Sequence, residues 1–361
     1  MKTNLYVLYG GKSAEHEVSL LTALTVINMT DKTKYQVYPI YVNPRGVWGS
    51  IGKVEHPLAS TEDLRCDLAD CSVAASIGEV LTRFFRPDET NIVFPVIHGT
   101  HGEDGTLQGM LEMLNVPYVG NGVLSSAVGM DKVMMRDLFA ATEIPQMDYI
   151  SFIRHEWDED AQAILNRIEQ TIGYPCYVKP ANLGSSVGIN RCTDPITLDE
   201  AIKEAFQYDR KLLVEKEITG REIQLAVIGN DHPIISVAGE FIRDPGFFDY
   251  AKKYKNGMLV QRIPADISSN VYAEMSKITR IAYRTLDGSG LMRVDFFVTD
   301  NEEIYLGEVN TLPGFTKISM FPTLWEQTDG TTYQQLIERL IDYALKRHKQ
   351  KQSITYGRDQ A

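Results

Sequence analysis

Residues 291–298 and 304–310 constrain this chain more than any other stretch. Successive side chains of a strand point to opposite faces, so Arg293 and Asp295 share one face while Met292, Val294 and Phe296 share the other. The second segment repeats the pattern, with Glu308 and Asn310 on one side and Tyr305 and Val309 on the other. If residues 300–303 form a hairpin loop, Thr299 pairs with Ile304, Asp295 opposes Glu308 and Arg293 opposes Asn310. Facing carboxylates repel unless a cation lies between them, and hard oxygen ligands select magnesium when phosphate supplies further ligands. A one-residue slip dissolves the cluster, and the solvated polar face of an edge hairpin is the alternative. The segment continues into Thr311-Leu312-Pro313-Gly314-Phe315-Thr316, a loop suited to close backbone approach.

At 361 residues the chain is long enough for two or three cores. Apolar runs alternate with helical patterns through the first third, at 5–9, 17–29, 36–42, 92–97, 107–114 and 117–119, which predicts a mostly parallel, doubly wound sheet. The polar stretch 55–70 reads as an insertion or surface loops. Turn residues Gly120-Asn121-Gly122 mark a boundary. Beyond it come helices at 131–141, 159–172 and 198–206 and strands at 147–152, 175–179 and 187–191. Strands at 212–217, 222–228 and 234–242 then predict a largely antiparallel sheet, covered by a helix with Val271, Met275, Ile278, Ala282 and Leu286 at helical spacing.

Charge narrows the function classes. With 36 basic and 48 acidic residues the net charge is −12, which opposes binding to nucleic acid. No run approaches the roughly 18 apolar residues of a membrane span, and the opening residues enter a strand rather than a signal peptide, so a cytoplasmic location is expected. Four cysteines are too few for a disulfide scaffold and read as reduced thiols. The polar tail 349–361 is expected to be disordered.

Three further segments carry chemistry. Gly10-Gly11-Lys12-Ser13 ends like a P-loop, but the required earlier glycine is Tyr6, so a tight turn before a helix N-terminus fits better. Glu15 and Glu17 in that first turn either complement the helix dipole or bind ligand. His98-Gly99-Thr100-His101-Gly102-Glu103-Asp104-Gly105 places imidazoles and carboxylates at the carboxyl end of a strand, where α/β sheets bind ligands; a zinc site lacks further ligand spacing. Lys179, at the root of Ala181-Asn182-Leu183-Gly184-Ser185-Ser186-Val187-Gly188, precedes a loop whose N–H groups can wrap phosphate, or a hairpin without a ligand. Residues 244–257 interleave Phe247, Phe248, Tyr250 and Tyr254 with Lys252, Lys253 and Lys255, and read as a lid or an exposed loop.

Together, residues 10–19, 98–105, 184–188, 293–295 and 308–314 resemble the D-alanine:D-alanine ligases of the ATP-grasp superfamily, across nearly the whole chain. The resemblance implies three domains, expected at 1–120, 121–216 and 217–361, with ATP between the second and third. It also implies a homodimer and the joining of two D-alanines for peptidoglycan. By the same resemblance Lys132, Lys179 and Lys253 bind ATP, Glu215 and Glu222 contact adenine and ribose, and Asp295, Glu308 and Asn310 hold magnesium, or manganese in its place. Glu15 holds the first substrate's ammonium, linked through Ser185 and Tyr254, with His98 nearby; Arg293 and the Gly314 N–H form the oxyanion site, and Ser319 binds the second carboxylate. Phe248 stands where many members have tyrosine. Tyr254 matches dipeptide-forming members, whereas depsipeptide-forming ones resemble them with histidine on this loop. The alternatives are a ligase making D-alanyl-D-lactate or D-alanyl-D-serine, and a non-catalytic ATP-binding module.

Overall fold

The computed structural model describes residues 2–66, 68, 70–86, 89–242 and 260–355. Phe248, Lys253 and Tyr254 lie outside the described residues, as does the whole expected lid, 244–257.

The first sheet has the order β3-β2-β1-β4 and comprises β1 (Thr3–Gly10), β2 (Tyr35–Val42), β3 (Trp48–Gly49) and β4 (Asn91–Pro95). β2, β1 and β4 run parallel, and β3 is antiparallel to β2. β1 is apolar on both faces because both are covered. Leu5, Val7 and Tyr9 meet Leu20, Ala23, Val26 and Ile27 of α1 (His16–Met29) on one face. Tyr6 and Leu8 meet Val80 and Phe84 of α2 (Val73–Phe84), and Leu107 and Leu111 of α3 (Thr106–Met113), on the other.

Sequence reading does not foresee α2, although its buried Ser76, Val80 and Phe84 recur at helical spacing. Nor does it foresee α4 (Val123–Met130), whose flanking glycines read as a turn. Residues 117–119 form a single parallel bridge, Val93 to Tyr118, rather than a strand. Within the polar stretch 55–70, a short helical turn at Thr61–Leu64 buries Leu64, whose carbonyl accepts the Tyr9 hydroxyl at 2.7 Å.

Helix α5 (Lys132–Ala141) is capped by Asp131, which accepts from the backbone N–H of Val133 and Met134 at 3.1 Å. It then leads to a second, all-antiparallel sheet ordered β5-β8-β6-β7: β5 (Tyr149–Ile153), β6 (Cys176–Pro180), β7 (Asn190–Cys192) and β8 (Lys211–Lys216). With α6 (Arg154–Thr171) and α7 (Pro195–Ala205) this sheet encloses its own core. β7 starts later than residue 187 because Ser185, Ser186 and Gly188 take positive φ of 55°, 59° and 70°, which no strand tolerates.

The third sheet is ordered β12-β11-β9-β13-β14, from β9 (Arg221–Gly229), β11 (Gly239–Ile242), β12 (Val260–Arg262), β13 (Gly290–Val298) and β14 (Ile304–Asn310), with β10 (Ile234–Ile235) also on β9. All its pairings are antiparallel, as the sequence predicts. Residues 234–242 are two strands rather than one. Ser236 Oγ accepts from Ala226 N at 2.9 Å and donates to Val237 O at 2.8 Å, ending the ladder between them. Helix α8 (Ser269–Thr285) covers one face with Val271, Met275, Ile278 and Ala282, as its spacing requires.

Across the other face lie α9 (Met320–Asp329) and α10 (Tyr333–Gln352). Leu336, Ile337, Leu340 and Ile341 of α10 enter the same core as Leu5, Val7 and Tyr9, so the first and third sheets share one hydrophobic interior. α10 also carries residues 349–352, part of the polar tail, as regular helix. Asn121 pins the linker between these sheets: its Nδ2 donates to Leu291 O and Thr311 O at 2.6 and 2.8 Å, and its Oδ1 accepts from Ser289 N at 2.9 Å. Among the described residues no helix is long and apolar enough to cross a membrane.

Candidate active site

β1 ends at Gly10 and Gly11, with φ of 90° and 96°; a Cβ on Gly10 would stand 2.2 Å from Val42 O. That turn brings Glu15 to the N-cap position of α1 with no side-chain cap bond, so its carboxylate is directed elsewhere. Ser185 Oγ, from the loop between β6 and β7, donates to Glu15 Oε1. Gly99 and Gly184 flank the carboxylate so closely that a Cβ on either would lie 2.7 or 3.0 Å from Oε2. Burial and the neighbouring Glu103 raise the Glu15 pKa, opposed by His98, Ser185 and Lys132.

His98 is 3% exposed, with Nδ1 3.3 Å from Glu103 Oε1 and Nε2 3.1 Å from Thr22 Oγ1. Burial disfavours its charged form, yet the hydrogen bond and charge of Glu103, with the charge of Glu15, outweigh burial and raise its pKa.

Lys132 opens α5 and donates from Nζ to Leu183 O at 2.6 Å, while its backbone N–H reaches Ala181 O at 2.9 Å. Burial lowers its pKa; Glu308, Glu215 and Glu15 pull the other way and Lys179 adds to the lowering. One ammonium thus feels a carboxylate associated with each of the three sheets. Lys179 on β6 is paired with Glu215 Oε1 on β8, and Arg136 Nη2 holds Glu215 Oε2. Glu215 is 3% exposed, and although burial would raise its pKa, Lys179 and Arg136 hold it low. Both its oxygens therefore accept from cations of the chain. Glu222 lies on β9 opposite Phe297.

The hairpin has the expected register at its polar end: Arg293 opposes Asn310 and Asp295 opposes Glu308. It departs at the loop end, where Val298, not Thr299, pairs with Ile304, and Thr299 N donates to Glu303 O at 3.0 Å. A bulge at Gly307 absorbs the difference, a site where a Cβ would press the Phe297 ring at 3.0 Å and Asp295 O at 3.1 Å. Asp295 is buried, accepts two 2.7 Å bonds from Arg293, and accepts one at 3.2 Å from Asn310 Nδ2. Gly314 follows this hairpin, 3.3 Å from Ser319 Oγ as measured to an added Cβ. Ser319, at the N-cap position of α9, accepts from Thr316 N at 3.0 Å and lies 2.8 Å from Thr316 Oγ1.

The structure thus joins Glu15 with Ser185, Lys179 with Glu215, and Arg293 with Asp295 and Asn310. Sequence reading misses Thr22, Glu103 as the partner of His98, and Arg136. The last had a signal, since it stands four residues after Lys132 and shares a face of α5 with it.

The descriptions "D-ala D-ala ligase N-terminus" and "D-ala D-ala ligase C-terminus" match residues 4–121 and 138–342. The D-alanine--D-alanine ligase of Geobacillus thermodenitrificans is 49% identical over 361 residues, covering 99% of each chain, and that of Bacillus cytotoxicus is 46% identical over 359 residues, covering 98% of this chain and 99% of the relative. Among solved structures, the D-alanine-D-alanine ligase from Coxiella burnetii has 34% identity and a TM-score of 0.78, covering 97% of this chain and 96% of that one. The VanG D-Ala:D-Ser ligase from Enterococcus faecalis has 31% identity and a TM-score of 0.77, covering 95% and 100%. The fold is that of the ATP-grasp class of mixed α/β ligases. Within that class the chain belongs to the D-alanine:D-alanine ligase family.

Proposed function

We propose that the chain joins two D-alanines into D-alanyl-D-alanine, cleaving ATP to ADP and phosphate, for peptidoglycan precursors. The observation that carries this reading is the hairpin face on which Arg293, Asp295, Glu308 and Asn310 stand together. Lys132 and Lys179, and Lys253 outside the described residues, would bind the nucleotide's phosphates, with Glu215 and Glu222 toward adenine and ribose. Asp295, Glu308 and Asn310 form a hard oxygen donor set suited to magnesium, or manganese in its place, which when bound would neutralise phosphate charge.

A carboxylate acylates poorly, so the first D-alanine's carboxylate attacks the γ-phosphorus and ADP leaves, giving an acyl phosphate. Glu15 would hold that substrate's ammonium, its carboxylate aligned by Ser185, with His98 behind it. The second D-alanine, its carboxylate bound at Ser319, loses an amine proton and attacks the acyl carbon. Arg293 and the Gly314 N–H would stabilise the tetrahedral oxyanion before the C–O bond to phosphate breaks. Closure over the site by the segment bearing Tyr254 would keep water from the acyl phosphate.

The division 1–120, 121–216 and 217–361 follows the three sheets, and helices on both faces of the parallel strands support a doubly wound first sheet. A cytoplasmic homodimer is proposed on the family resemblance. The likeness to a D-Ala:D-Ser ligase keeps D-serine as the second reading. Mass spectrometry of products from ATP, magnesium and D-alanine, with and without D-serine or D-lactate, decides. Phosphate release without D-alanyl-D-alanine overturns the reading.

A further inference from the structure

Arg136 has no task in the mechanism above. It is 2% exposed, and its Nη2 binds Glu215 Oε2 and, at 3.2 Å, Gly307 O at the hairpin bulge. Nε and Nη1 have no hydrogen-bond partner among the described residues. Idle buried donors are unfavourable, and the Tyr149 ring, 5.9 Å from Cζ, offsets little of that. Glu215 supplies the reason for keeping them. Its buried carboxylate is divided between two cations, Lys179 on Oε1 and Arg136 on Oε2. A lysine that moves to a phosphate oxygen leaves this carboxylate behind, and a stranded buried charge is strongly destabilising.

We infer that Arg136 is a positioning residue for nucleotide binding: a standing counter-ion of Glu215 that lets Lys179 exchange a protein carboxylate for a nucleotide phosphate. This rests on the ATP reading given above. A guanidinium can grip both oxygens of one carboxylate, so the idle Nε and Nη1 are the donors that take up Oε1 once Lys179 departs. The bond to Gly307 O holds the guanidinium in place during the exchange and couples it to the strand that carries Glu308.

The test is the affinity for ADP, measured by calorimetry on the full chain and on Lys179→Met, Arg136→Lys, Arg136→Met, Glu215→Gln and the double variant Arg136→Met/Glu215→Gln. Arg136→Met should weaken ADP binding about tenfold or more, because Lys179 can then leave only by stranding Glu215. Arg136→Lys, which keeps the charge but not the fork, should recover only part of the loss. The double variant should bind within about threefold of Glu215→Gln alone, since no carboxylate remains to strand. A role in packing alone predicts the opposite, because the double variant lacks the same arginine. If Arg136→Met does not fold, the double variant decides: a tenfold loss relative to Glu215→Gln alone overturns the inference. Unchanged ADP binding by Arg136→Met, in a chain whose binding depends on Lys179, overturns it as well. A wild-type chain that does not bind ADP, or binds it independently of Lys179, overturns the ATP reading itself.

Discussion

Arg293 grips Asp295 with both arms of its guanidinium, Nε to Oδ1 and Nη2 to Oδ2, each at 2.7 Å. The two residues are two apart on β13, so the strand's own pleat brings them to one face. The fork aligns the arginine proposed for the oxyanion and gives both oxygens of the buried Asp295 a donor, on the face it shares with Glu308.

Asp295→Asn and Glu308→Gln each remove one negative charge from that face. Turnover should fall by roughly 10²-fold or more in both, while the unfolding midpoint stays close to wild type in Glu308→Gln and drops in Asp295→Asn, which leaves Arg293 without its paired carboxylate. Arg293→Ala should lower kcat by a similar factor. Steady-state kinetics check both, and a change confined to KM would instead make Arg293 a ground-state binding residue.

Ser185→Ala removes the hydroxyl that donates to Glu15 Oε1. A hydrogen bond to a charged group contributes about 1.5–3 kcal/mol, so kcat/KM for D-alanine should drop by roughly 10-fold or more at saturating ATP. ADP affinity, measured separately, should barely move. Equal losses in both would mean that the loop 183–188 had collapsed rather than lost one contact.

His98 has a raised pKa, held up by Glu103 and Glu15 against burial. Such a group contributes stability that is fully present below its unfolded value, about 6.5, and is lost as pH rises through the folded value. Wild type should therefore exceed His98→Gln in unfolding midpoint most clearly near pH 6, with the gap narrowing toward alkaline pH. Thermal unfolding of both proteins between about pH 6 and 9 measures it. A gap that widens with pH would reverse the assignment.

Asn121→Ala leaves the carbonyls of Leu291 and Thr311 and the N–H of Ser289 without their shared partner. Each buried unsatisfied group costs about 1–3 kcal/mol, so a loss on the order of 3 kcal/mol is expected in urea unfolding. Because the first and third sheets share a core, the two should still unfold together.

The hairpin shows where sequence reading succeeds and stops. Period two is set by backbone stereochemistry, so the faces of Arg293, Asp295, Glu308 and Asn310 and their register were legible without coordinates. The loop end was not. The bulge falls at Gly307, where an added Cβ would press the Phe297 ring and Asp295 O, contacts that exist only once the strands have paired. Period 3.6 likewise announces α8 through its apolar stripe; it runs through α2 as well, at Ser76, Val80 and Phe84, where sequence reading passes over it.

By itself, then, the sequence determined the local periods, the charge pattern, the glycine-rich turns and, through motif order, the family. Only the tertiary structure decided that Ser185 reaches Glu15, that Cys176 lies opposite Cys192, that Arg136 and Lys179 divide Glu215, and that α10 seals one core beneath two sheets. The physical reason is range. Strand pleat and helical turn act over a few residues, while burial and charge pairing act between groups that chain folding alone brings together.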